Sequence, residues 1–194
     1  MAFNIDKFRA QGLIFGGARP TLFRVKMEFP GVAPGDRERA SYLIRSTSLP
    51  ASTVSAVPVP YFGRTIKVPG DRTFEDWSIT VMNDEDFGLR DSFESWLNAI
   101  NAHASNRSVG DGSPDLFKVD LTVEQFGKSG PGDDSGVIRA YKLNGAFPTS
   151  VGAISLDWDS TNTIESFDVT FSYDYWEPVA TENGSIYNVE LNPV

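Results

Sequence analysis

A chain of 194 residues with 40% hydrophobic and 22% charged residues has the composition of one globular domain, or one domain with long extensions. Its net charge of −9 argues against a basic face for polyanions. The absence of cysteine excludes disulfides, thiolate metal sites, thiol nucleophiles and iron–sulfur ligands, and the single histidine, His103, excludes multi-His zinc and two-His iron sites within one chain.

The start of the chain lacks a basic segment and Asp6 interrupts any apolar run, so no signal peptide is expected. The longest nearly apolar stretch, residues 12–18, is too short to span a bilayer, which predicts a soluble protein made in a cytoplasm, without a membrane anchor. Residues 1–19 read as an N-terminal arm with a short helix over Ile5 to Gln11. From Thr21 to Phe29 the pattern alternates, with Phe23, Val25, Met27 and Phe29 on one side and Leu22, Arg24, Lys26 and Glu28 on the other. That is the period of a half-buried strand. Pro30-Gly31 stops it, and residues 33–39 read as a charged loop before a second strand over 40–48.

Pro50, Pro58 and Pro60 punctuate the β-rich stretch 52–61, and a proline cannot donate to a ladder, so an edge strand or an extended arm is expected there. Residues 64–68 read as a short strand closed by Pro69-Gly70, and 73–82 as a strand alternating through Trp77, Ile79 and Val81. A helix over about 84–103 follows, capped by Asn83 or Asp84, with an apolar stripe of Leu89, Phe93, Trp96, Leu97 and Ile100. Residues 104–115 read as a loop, 116–126 and 137–147 as a hairpin around the glycine-rich turn 127–136, and 164–176 as a long strand. The prediction is a mainly β fold: an antiparallel β-sandwich or barrel with one flanking α-helix and extended arms. Its divisions are an arm at 1–19, a β domain at 20–177 and an extension at 178–194.

The chemistry-bearing residue types do not converge. His103 at a helix end reads as a complement to the helix dipole rather than a general base. Asp157-Trp158-Asp159-Ser160-Thr161-Asn162, with Asp168 at the twelfth place, resembles a calcium loop but lacks the glycine at the sixth place and the glutamate at the twelfth, so a strand-to-turn connection is the better reading. Gly70-Asp71-Arg72 and Gly110-Asp111-Gly112 lack the spacing of a phosphate loop. Trp77, Trp158 and Trp176 suggest a sugar platform, although tryptophan on alternating strands is more often core or interface. No catalytic, cofactor-binding or metal-binding residue is assigned, no cofactor is expected, and the chain does not read as an enzyme. The polar strand faces either meet solvent or line a shared pore when several copies close their sheets together.

Two stretches carry a resemblance: residues 63–87, GRTIKVPGDRTFEDWSITVMNDEDF, and residues 147–177, FPTSVGAISLDWDSTNTIESFDVTFSYDYWE. Together with Ala18-Arg19-Pro20-Thr21-Leu22-Phe23 and Leu49-Pro50-Ala51, they closely resemble the tail tube protein of contractile-tailed, T4-like bacteriophages. The resemblance implies a structural virion protein, assembled in the host cytoplasm, whose six-membered rings stack into a tube inside a contractile sheath. The inner sheets of six subunits join into one barrel, through which DNA passes without specific binding. It implies as partners other copies of the chain, the tail sheath protein, the baseplate hub with its tube initiator, the tail terminator and the tape-measure protein. A tube-initiator ring of the baseplate is the alternative within that class, and a lectin-like glycan-binding sandwich the alternative outside it. Six copies at −9 each give −54 per ring, and an acidic lumen repels phosphate. The polar faces of 116–126, which includes Asp120, and of 164–174 are the candidate lumen faces. The stretch 46–72 and the termini are the candidate ring-to-ring contacts.

Overall fold

The structure is a computed structural model that describes residues 5, 11, 16–128 and 136–179. In chain order the described residues form β1 (Phe23–Lys26), α1 (Arg37–Leu43), β2 (Ile44–Thr47), β3 (Ser52–Tyr61), β4 (Arg64–Phe74), β5 (Trp77–Met82), α2 (Gly88–Ile100), β6 (Val119–Phe126), β7 (Val137–Val151), β8 (Ser166–Ser172) and β9 (Tyr175–Val179). A 3-10 turn at Pro114–Leu116 leads into β6. All pairings are antiparallel.

Seven strands form one folded sheet in the order β1-β6-β7-β8-β5-β2, with β9 also on β7. The 15-residue β7 is its spine, pairing with β6 on one side and with β9 and β8 in succession on the other. The corner falls where Gly145 adopts a left-handed φ of 66° and Tyr173-Asp174 interrupts the strand opposite. A glycine lets a strand turn such a corner because no Cβ opposes positive φ. The two halves, layer A (β1, β6, β9 and the start of β7) and layer B (β2, β5, β8 and the end of β7), close over one core.

That core is built from the apolar sides of the alternating strands: Val25, Leu121, Val123 and Leu143 from layer A, and Trp77, Ile79, Val81, Phe167, Val169 and Phe171 from layer B. Helix α2 buries Leu89, Phe93 and Trp96 against them. Phe93 meets Phe29, Phe167 and Phe171, while the Trp96 indole N–H donates 2.9 Å to the Phe117 carbonyl, satisfying both buried groups.

Several sequence expectations need correction. Residues 37–39 of the expected loop and 40–43 of the expected strand are instead α1, because the Asp36 carboxylate caps the Arg39 N–H at 3.0 Å and starts a helical turn. Helix α2 is shorter than 84–103. Phe87, at φ 55° and without a side-chain cap, precedes its first turn, and Asp84 and Asp86 serve Arg39 instead. Pro69-Gly70 does not end β4, which runs on to Phe74 through a register shift opposite Val54/Ala56. The strand over 73–82 is broken at Glu75-Asp76, and that over 164–176 at Tyr173-Asp174. The helix over 5–11 and the turn 127–136 lie mostly, and residues 180–194 wholly, outside the described residues.

Candidate functional site

Strands β3 and β4 leave the body as a separate two-stranded hairpin. Its register places Val57, Val59 and Tyr61 opposite Val68, Ile66 and Arg64, which makes one face apolar with a cation near its tip. Pro58 and Pro60 stand opposite Lys67 and Thr65 on the other face. Its side chains are largely exposed, and Phe62 at the tip is 91% exposed with a left-handed φ of 42°. The root is anchored: the indole N–H groups of Trp77 and Trp176 donate to the carbonyls of Ser48 (2.8 Å) and Ala51 (3.0 Å), on either side of Pro50. Phe74 packs on Tyr173 and Trp176, and burial pushes the Tyr173 phenol pKa up.

The outer faces of the two layers differ. On layer B, Ser78 faces Thr170, and Thr80 donates 2.7 Å to Asp168. Strands β5 and β8 and the β7 segment 147–151 contain no Lys or Arg. On layer A three acids are paired with cations. Buried Glu124 takes Arg24 and Lys26 at 2.7 Å each, Asp120 takes Lys142 at 2.8 Å, and Asp174 takes Lys118 at 2.8 Å. The Lys142 ammonium, aided by the Gly145 N–H, holds the Asp120 carboxyl below its ordinary pKa. The polar faces of 116–126 and 164–174, both expected to line a lumen, thus lie on the two outer sides of the sandwich with the core between them.

At the far end of β5 from the hairpin, Arg39 of α1 binds both Asp84 and Asp86. Hydrogen bonding to Arg39, with help from the Gly88 N–H, holds the Asp86 carboxyl at a pKa of about 2. This clamp was missed because its members are 45 and 47 residues apart, and only the capping signal of Asp36 pointed to α1.

The other candidates do not assemble. His103 is exposed after α2, its backbone N–H bonded to Asn98. Asp168 is bonded to Thr80, and among the described residues no three metal-ligating side chains gather. Trp77 is buried, Trp176 holds the hairpin root, and Trp158 stands alone in its loop, so the three form no sugar platform.

The phage tail tube protein family matches residues 18–178. The tail tube protein gp19 of Enterobacteria phage T4 is 39% identical over 160 residues, covering 82% of this chain and 91% of that protein. The chain belongs to the phage tail tube protein family. It is therefore a structural component of a contractile-tail virion and a member of a non-enzymatic family. The fold of this tail tube protein extends to other contractile machines. A chain of the sheath–tube complex of the PVC extracellular contractile injection system superposes with a TM-score of 0.56 at 18% identity, covering 93% of this chain and 100% of that one. A chain of the anti-feeding prophage baseplate superposes with a TM-score of 0.61 at 12% identity, covering 86% and 97%.

Proposed function

We propose that this tail tube protein forms hexameric rings that stack into the inner tube of a contractile tail, the conduit for DNA ejection. The carrying observation is the asymmetry of the sandwich. Layer B offers strands of hydroxyls and the Asp168 carboxylate without Lys or Arg on β5, β8 or the end of β7. Layer A presents ion-paired charge. A surface whose central strands β5 and β8 and the end of β7 hold no cation, with Arg45 confined to the edge strand β2, offers phosphate little to bind and lets DNA slide, so layer B is the lumen face. The open edge of β2 and the part of β7 beyond Ala146, which pairs only with β8, supply backbone groups on the two sides of layer B for lateral pairing within a ring. The hairpin is the arm that reaches the next ring. Its exposed apolar face needs a cover that a lone subunit does not provide.

Residues 20–177 form the tube domain, with 1–19 and 178–194 as extensions, and no residue is assigned a catalytic, cofactor or metal role. The partners are other copies of the chain, the sheath, the baseplate hub with its initiator, the terminator and the tape-measure protein, with assembly in the host cytoplasm. Electron microscopy of the purified protein, alone and with baseplates, tests this. Rings or hollow tubes are expected. Monomers in both samples refute the tube reading, and isolated rings that never elongate favour a tube initiator instead.

A further inference from the structure

We propose that the loop between β7 and β8, residues 152–165, is the seat for the β3–β4 hairpin of the copy in the adjacent ring. The inference rests on the stacked-ring reading and adds the receiving site. Its first support is placement. The hairpin leaves layer B at the Trp77/Phe171 end of the β5–β8 pair, and the loop enters β8 at the opposite, Met82/Ser166 end. Five residue steps of about 3.4 Å, roughly 17 Å, separate the two ends. Head-to-tail stacking requires such an arrangement, with the donor element at one end and the receiving element at the other.

The second support is that each element lacks what the other carries. The hairpin, residues 52–74, holds Arg64, Lys67 and Arg72 against a single acid, Asp71. None of the three cations makes an ion pair among the described residues. The loop holds Asp157, Asp159 and Glu165 and no Lys or Arg. The hairpin shows an uncovered row of Val57, Val59, Ile66 and Val68, and the loop shows Leu156, Trp158 and Ile164. Both surfaces combine apolar area with charge, and the charges are opposite.

The loop is also shaped for presentation. The Asp157 carboxylate accepts the Asp159 N–H at 3.1 Å, the Ser160 N–H bonds the Asp157 carbonyl, and Asn162 turns the chain with a φ of 61°. These bonds fix a turn whose outermost side chain is Trp158, at 102% exposure. An indole held fully in water by an ordered turn does nothing for the subunit that carries it, while burial of its area at an interface is among the largest contributions one side chain makes. The Asp-Trp-Asp segment, which reads in sequence as a strand-to-turn connection, then serves as an aromatic anchor flanked by acids.

The absence of native cysteine makes crosslinking a clean test. Trp158→Cys and Ile66→Cys are introduced singly and together in the full chain, assembled on baseplates and oxidised. The double variant is expected to give a ladder of covalent multimers only when assembled, and the single variants none. Normal tubes of the double variant without a ladder overturn the seat but leave the ring reading standing, whereas wild-type protein that forms no tubes overturns the ring reading itself. A charge exchange decides the case if the cysteine variants do not assemble. Arg64→Glu and Asp159→Arg are each expected to raise the concentration needed for tube growth about five-fold. The two together should return it to within about two-fold of wild type, and failure of that restoration also overturns the seat. Asp159 rather than Asp157 is exchanged because the Asp157 carboxylate holds the turn.

Discussion

Reversing a carboxylate on each layer separates the two candidate lumen faces. Asp168→Lys on layer B and Asp120→Lys on layer A each move a subunit by two charges, about twelve per six-membered ring. Their local costs are similar. Asp168 loses one exposed hydrogen bond from Thr80 at 2.7 Å, about 1 kcal/mol. Asp120 loses a half-exposed pair with Lys142 and a 3.1 Å bond from the Gly145 N–H, also about 1 kcal/mol after screening. Neither approaches the total stability of a domain, so both variants should fold and assemble. Only the lumen variant places a ring of ammonium groups against phosphate, where each contact releases counterions and holds the DNA. Fluorescence recording of DNA release from virions carrying each variant reads this out. Asp168→Lys should slow release at about 0.1 M salt and recover toward 1 M, as the screening length falls from about 10 Å to 3 Å. Asp120→Lys should release at the wild-type rate. Slowed release by Asp120→Lys with normal release by Asp168→Lys refutes the assignment of layer B to the lumen.

Other expectations concern the dispersed subunit. The Asp86 carboxyl is depressed from 3.8 to about 2 by Arg39, so the stability it contributes is present above about pH 4 and is lost as pH falls toward 2. Asp86→Asn should flatten that part of an acid titration followed by circular dichroism, and an unchanged acid limb counts against the clamp. Trp96→Phe leaves the Phe117 carbonyl without its indole donor and should cost about 1–3 kcal/mol, with Tm falling about 2–4 °C for each kcal/mol. Gly145→Ala combines a left-handed φ with a Cβ placed 2.5 Å from Asp174 Oδ2, so it should cost more than about 1 kcal/mol in a urea titration. A neutral result would mean the corner between the layers is not held at Gly145.

The strand faces were the most legible part of the chain. Alternation through Val25, through Trp77–Val81, through Leu121–Val123 and through Phe167–Phe171 correctly separates the buried side from the polar side, because a strand exposes its period of two directly. The α2 stripe was legible for the same reason at its own period, although its start was not. The acids at 84–86 look like a first helical turn locally, but Arg39 from a distant segment binds Asp84 and Asp86 instead. Of the strand expected over 40–48, Ile44–Thr47 is a strand, while 40–43 belongs to α1 because the cap at Asp36 outweighs the alternating pattern there. The proline-punctuated arm was legible as an arm, yet the prolines did not stop it pairing. In an isolated hairpin they need no third strand, so their missing N–H groups leave no ladder broken.

Fold class, the exclusion of thiol chemistry and of thiolate and multi-histidine metal sites within one chain, and the family were all readable from the sequence, since these depend on composition, periodicity and long contiguous blocks. Tertiary structure decided which surfaces belong together. Asp120 and Asp168 read alike as polar positions on alternating strands, and the corner at Gly145 places them on opposite sides of a core. The basic hairpin and the acidic tryptophan loop are neighbours in neither sequence nor space, and the antiparallel register of β5 on β8 sets them at opposite ends of one layer. Local pattern sets the face on which a side chain lies, but the direction of that face depends on contacts between residues far apart in the chain, which no local period encodes.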